Sequence, residues 1–108
     1  MRHFQASAVE RRIFFNTHLT SHPMEAGWAS EAIFFLIVEE IKGEARLNAH
    51  VEISPDGINW INEGSRFPEI TSPGYYFCKV AHFGNWLRVH GDITGGEIKA
   101  SVQLHLKS

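Results

Sequence analysis

Histidine has the widest chemical repertoire of any side chain here, and the chain carries seven: His3, His18, His22, His50, His82, His90 and His105. His18 and His22 stand four apart, which is a metal-ligand spacing on a helix. Here the stretch reads as extended and then looped, with Pro23 next door. There is no H-E-x-x-H pattern, no cysteine partner, and no closely spaced His pair followed by Glu of the kind that jelly-roll metal sites use. No metal or other cofactor is therefore expected. His50, His90 and His105 fall on the polar phase of their segments. At a contact between copies they would add charge near pH 6, so assembly is expected to weaken in mild acid.

Other chemistry finds little support. Glu52, Glu63, Glu69, Asp92 and Glu97 include no pair marked by local sequence as an acid and base. Cys78, the single cysteine, sits in Tyr76-Phe77-Cys78-Lys79-Val80, which reads as a strand, and is expected to be a small buried apolar residue. Thr94-Gly95-Gly96 opens a strand rather than a helix, so it is not a phosphate loop. The chain is therefore expected not to be an enzyme. Trp28, Trp60, Trp86 and Tyr75 offer flat rings on which a sugar could stack, and they define the alternative to a purely structural role.

The elements that must position these residues are strands. Glu97 to Lys107 alternates without an error: Ile98, Ala100, Val102, Leu104 and Leu106 on one face, polar residues on the other. That period of two belongs to an antiparallel strand with one buried and one wet face. Arg46 to Ser54 repeats it with Leu47, Ala49, Val51 and Ile53 inward. Ala32 to Ile41 is apolar on both faces and rich in aromatic and β-branched residues. A central strand is favoured there over a helix capped by Ser30 and stopped at Gly43. His3–Val9, Ile13–Leu19, Ile58–Asn62, Tyr75–Ala81 and Trp86–Ile93 complete about eight short strands. Ser54-Pro55-Asp56-Gly57 is a turn, and Thr94-Gly95-Gly96 is expected to be a tight hairpin turn. The fold class is all-β, an antiparallel, jelly-roll-like sandwich forming one domain over residues 1–108, with residues 1–30 as a possible arm or edge.

Composition narrows the partners. A net charge of −2 with scattered Lys and Arg argues against nucleic acid. The longest apolar run, Ala32–Val38, is too short to span a bilayer. With no signal-peptide pattern at the N-terminus, the expected location is cytoplasmic at synthesis.

Several segments from Val51 onward share a recognisable cadence: Val51-Glu52-Ile53-Ser54-Pro55-Asp56-Gly57-Ile58-Asn59-Trp60, Ile70-Thr71-Ser72-Pro73-Gly74-Tyr75, Gly84-Asn85-Trp86-Leu87-Arg88-Val89 and Asp92-Ile93-Thr94-Gly95-Gly96. The order resembles small β-sandwich modules of bacteriophage and prophage virion-associated proteins. It is more loosely similar to discoidin-like and carbohydrate-binding jelly rolls. The resemblance covers a little over half the chain and rests on turn and core residues. It implies a non-enzymatic, self-associating structural protein, a head-decoration or tail-associated accessory whose partners are its own copies and other virion proteins. Phe4, Phe14, Arg88, His90 and His105 are the expected interface residues. Phe14 lies on the opposite phase from Ile13 and Phe15, so one face of that segment needs a second layer. In the alternative, a glycan binds the Trp28, Trp60, Trp86 and Tyr75 platform.

Overall fold

Extended chain rises about 3.3 Å per residue, so a strand of 24 residues laid straight would reach roughly 80 Å. The computed structural model of this protein holds such a strand within a body only 45 Å long. The strand must bend, and the bend organises the molecule. The structure describes residues 4–81 and 83–108, with side chains described for 14–81 and 83–108. His3, His82 and the side chain of Phe4 lie outside the described residues.

Seven strands follow in chain order: β1 (Phe4–Phe15), β2 (His18–Thr20), β3 (Met24–Glu25), β4 (Glu31–Ser54), β5 (Ile61–Arg66), β6 (Gly74–Ala81) and β7 (Trp86–Lys107). All pairings are antiparallel, and β4 runs alongside β7 from Glu31 opposite Lys107 to Ser54 opposite Trp86. In the upper half of this ribbon, β1 flanks β7 and β6 flanks β4. In the lower half, β2 and β3 flank β7, and β5 flanks β4. Each half is thus a small sheet with the same two strands at its centre. The inner faces of both halves pool into one core, and the chain is a jelly-roll-like β-sandwich.

The core follows the alternation. Phe34 and Leu36 on β4, and Ile98, Val102 and Leu104 on β7, fill the upper half. Leu47, Val51, Leu87 and Val89 fill the lower half, with Leu19 closing over them from β2. Each such side chain contributes about 1.5–3 kcal/mol by leaving water. Cys78 is buried among them, and burial, reinforced by the charge of Glu63, pushes its thiol above its ordinary value. That is the inert core position expected from its setting.

Three sequence expectations need correction. Thr94-Gly95-Gly96 is not a hairpin turn, because the segments on either side both pair with β4 rather than with each other. The register slips here between Gly43 and Arg46, and Gly43 and Gly95 take φ of 73° and 84°. A bulge of this kind bends a strand without ending it. The same bend joins Ala32–Ile41 to Arg46–Ser54 as β4, and Trp86–Ile93 to Glu97–Lys107 as β7, so two long strands stand where four short ones are expected. At the N-terminus, Phe4–Phe15 is one strand with two register slips, where two strands had been expected. The strand reading of residues 32–41 holds throughout.

Ser54-Pro55-Asp56-Gly57 turns as predicted. Ser54 Oγ accepts from the backbone N–H groups of Asp56 and Gly57, and donates to Asp56 Oδ1. Asp56 in turn accepts from the N–H groups of Asn59 and Ile58, which holds its carboxyl far below the ordinary range.

A Cβ at position 95 would run into the Glu44 carbonyl on a backbone that side chains disfavour, whereas one at Gly84 meets open space. Gly95→Ala should therefore cost about 1–3 kcal/mol in urea unfolding, and Gly84→Ala less than about 0.5 kcal/mol. Equal losses would show that the ribbon does not depend on this bend.

Candidate functional site

The two halves turn very different outer faces to solvent. On the upper half, β4 directs Ile33, Phe35 and Ile37 away from the core, because Ala32, Phe34, Leu36 and Val38 occupy the inward phase. On β6, Tyr75 stands opposite Ile37 and Phe77 opposite Phe35. Tyr75 is 81% exposed and Phe77 56% exposed. The result is a contiguous apolar patch reaching β6, which among the described residues pairs with β4 alone. His105 borders it, its ring edge-on to Phe35 with centroids 4.8 Å apart. Phe14 lies across β7, with Lys42 Nζ 4.2 Å and Lys99 Nζ 5.9 Å from its ring centroid. Part of the cover that Phe14 requires is thus supplied by lysine ammonium groups over its ring.

On the lower half the same alternation presents a polar row. His18 and Thr20 come from β2, Arg88, His90 and Asp92 from β7, and His50 and Glu52 from β4. His90 lies 6.1 Å from His18 and 5.7 Å from His50, ring centre to ring centre. Its Nδ1 is 2.7 Å from Thr20 Oγ1. Arg88 Nε donates to Glu52 Oε1 at 2.7 Å, and its guanidinium covers the Trp60 ring at 4.2 Å. His50 Nε2 is 3.2 Å from Glu52 Oε2. Burial works against the charge on Glu52. The hydrogen bonds from Arg88 and His50, with the attraction of Arg88 and His90, outweigh it and hold the carboxyl below its ordinary value of 4.5.

The structure thus brings together two of the expected interface residues, Arg88 and His90, and places Phe14 and His105 on the other half. Of the four platform rings, Tyr75 lies on the upper half and Trp60 and Trp86 on the lower. Tyr75 belongs to the apolar patch and Trp60 lies beneath Arg88. Trp86 packs close over the turn glycine Gly57, and Trp28 is 43% exposed in the loop after β3. Among the described residues, no group of three His, Cys, Asp or Glu side chains is arranged to hold a metal ion.

Two features escaped the sequence reading. The apolar patch was signalled by the two-faced run at Ala32–Val38, but its partners Tyr75 and Phe77 come from the distant β6. The second is a hollow of about 350 Å³ lined by Asn48, His50, Asn62, Gly64, Arg66 and Asp92. Asn48 and His50 come from β4, Asn62, Gly64 and Arg66 from β5, and Asp92 from β7, so three strands separated in sequence build it.

No protein-family model matches the chain, and no curated protein is significantly similar to it. Solved structures share its fold. The infectious bursal disease virus VP2 subviral particle aligns with a TM-score of 0.64 at 11% identity, over 98% of this chain and 32% of that one. The SPBc2 prophage-derived protein YomS aligns with a TM-score of 0.51 at 8% identity, over 100% of this chain and 96% of that one. The PBSX exported protein XepA aligns with a TM-score of 0.59 at 8% identity, over 100% and 37% respectively. The chain spans about a third of the length of the VP2 chain. At these identities the likeness is one of fold: the sandwich shared by viral and prophage proteins, as the cadence from Val51 onward implied.

Because the folded-state value of Glu52 is depressed, its contribution is complete above the ordinary value of 4.5 and is lost as pH falls through the lowered one. Glu52→Gln should cost about 1–3 kcal/mol at neutral pH. It should also flatten the decline of stability below about pH 4.5. Urea midpoints measured across that range check this, and parallel profiles for the two proteins would refute it.

Proposed function

We propose that this chain is a non-enzymatic structural subunit that assembles with its own copies, as a head-decoration or tail-associated accessory of a virion-type particle. The observation that carries this reading is the patch formed by Ile33, Phe35, Ile37, Tyr75 and Phe77. Water is a poor solvent for such a face, and patches of this kind mark surfaces that become covered. A second copy offers the same patch. A two-fold axis lying in the interface plane would set Phe77 and Tyr75 of one copy against those of the other. The fold it shares with viral and prophage proteins supports a virion setting, with synthesis in the cytoplasm. Other virion proteins are the natural further partners.

The histidine expectation becomes specific in this reading. His105 stands at the rim of the patch, opposite Ile33 on β4 and Ala6 on β1. Lys79 stands opposite Ile33 from β6, and Lys107 and Glu31 face each other one step along. Gln103 Oε1 is 3.3 Å from His105 Nε2. A protonated His105 would add a cation to a rim already holding two lysines and one glutamate, beside a face that must lose water. His50 and His90 lie on the other outer face and would matter only if that face were also covered.

Sedimentation velocity at about pH 7.5 should give a particle heavier than the 12.3 kDa chain. Tyr75→Ser with Phe77→Ser should return it to a folded monomer. A wild-type monomer at high concentration would refute the proposal. Between about pH 8 and pH 5 the mass should fall as acid is added, and His105→Gln should remove most of the change. An invariant mass would exclude His105 from the contact.

A further inference from the structure

We propose that the hollow on the lower outer face is a binding site for a neutral, hexose-sized saccharide unit. Its shape comes from a bulge. His50 pairs with Arg66 and Glu52 with Asn62, so β5 inserts Glu63, Gly64 and Ser65 opposite the single residue Val51. The extra residues push the edge strand outward. Gly64, at φ 109°, leaves open space where a side chain would stand. The bulge is braced locally: Asn62 Oδ1 accepts from Gly64 N at 2.8 Å, and Glu63 Oε1 from Ser65 N at 3.0 Å.

The lining carries hydrogen-bonding capacity that the protein does not use. Asn48 and Arg66 make no side-chain hydrogen bond or ion pair among the described residues. Asp92, directly opposite Asn48, is 75% exposed, with His90 Nε2 3.7 Å from its carboxylate. Asn62 commits its oxygen to the bulge and keeps its amide donors. The hollow therefore offers a donor-only guanidinium, an acceptor-only carboxylate, and amides that supply both kinds. Vicinal hydroxyls, each able to donate and to accept, answer that mixture. A phosphate or simple carboxylate would suit Arg66 but be repelled by Asp92, and an apolar ligand would strand the whole set. The volume of about 350 Å³ lies at the small end of ligand sites and fits one sugar ring with its substituents. The groups sit on paired strands rather than on a long loop, so binding would order side chains but not backbone.

This site is separate from the apolar patch, and its test is separate as well. Side-chain amide signals of Asn48 and Asn62 in the intact wild-type protein would be followed by NMR during titration with methyl glycosides of glucose, galactose and mannose, and with inorganic phosphate. At least one glycoside should shift these signals at millimolar concentration. Asn48→Ala and Arg66→Ala should each weaken that binding at least tenfold. The Tyr75→Ser, Phe77→Ser variant should bind it unchanged, whatever its mass. Three results would each overturn the proposal: no shift with any glycoside, shifts that survive both hollow variants, or phosphate binding at the same residues in preference to the sugars.

Discussion

The pairing of β4 with β7 is the constraint on which everything else depends. These two strands run through both halves of the sandwich, and every other strand pairs with one or the other. Because side chains alternate strictly along a strand, fixing the register of this one ribbon decides which residues enter the core and which face solvent. A slip of one position would exchange Phe34 for Phe35 and Leu47 for Asn48, putting amides in the core and leaving leucine in water. The ribbon needs its glycine bulge for the same reason. Without the bend, two short apolar faces would lie end to end and neither would be covered.

From that single register come two outer faces of opposite character. The upper face presents Phe35, Phe77 and Tyr75, and the lower presents His50, Glu52, Arg88 and His90. Covering the first releases water from apolar surface, a gain proportional to area. Covering the second would strip solvent from an ion pair whose attraction repays that loss only with ideal geometry. Glu52 already carries this tension in mild form, since burial opposes its charge while Arg88 and His50 sustain it. Of the two faces, the upper is therefore the one whose covering is energetically favoured, which is why the proposed assembly uses it. The proposed saccharide site uses the lower, where hydroxyls could replace water bond for bond.

What the sequence revealed and what it hid divide along the same physical line. Alternation is a local property, so the inward and outward residues of Glu97–Lys107 and Arg46–Ser54 could be read directly. The doubly apolar run at Ala32–Val38 correctly marked a strand with demands on both faces. Glycines at 43 and 95 were visible too, but a positive φ serves a hairpin turn and a strand bulge equally well. Which it serves depends on where the flanking segments find partners. The hollow was illegible for a stronger reason. Asn48, Arg66 and Asp92 meet only because three strands align in one register, with an extra stretch of β5 opposite Val51, and no spacing along the chain encodes that alignment.

Low identity to structures of the same fold is what this architecture should produce. The sandwich asks only that every second residue be apolar and that glycine occupy the bends. Such a requirement is met by Leu, Ile, Val, Phe or Ala in many combinations. Outward positions are free of it altogether. Proteins can then share a backbone with a TM-score of 0.64 at 11% identity while differing at nearly every exposed residue. What distinguishes one such protein from another must lie in the outward set. In this chain that set is the aromatic patch on β4 and β6 and the polar row with its adjoining hollow.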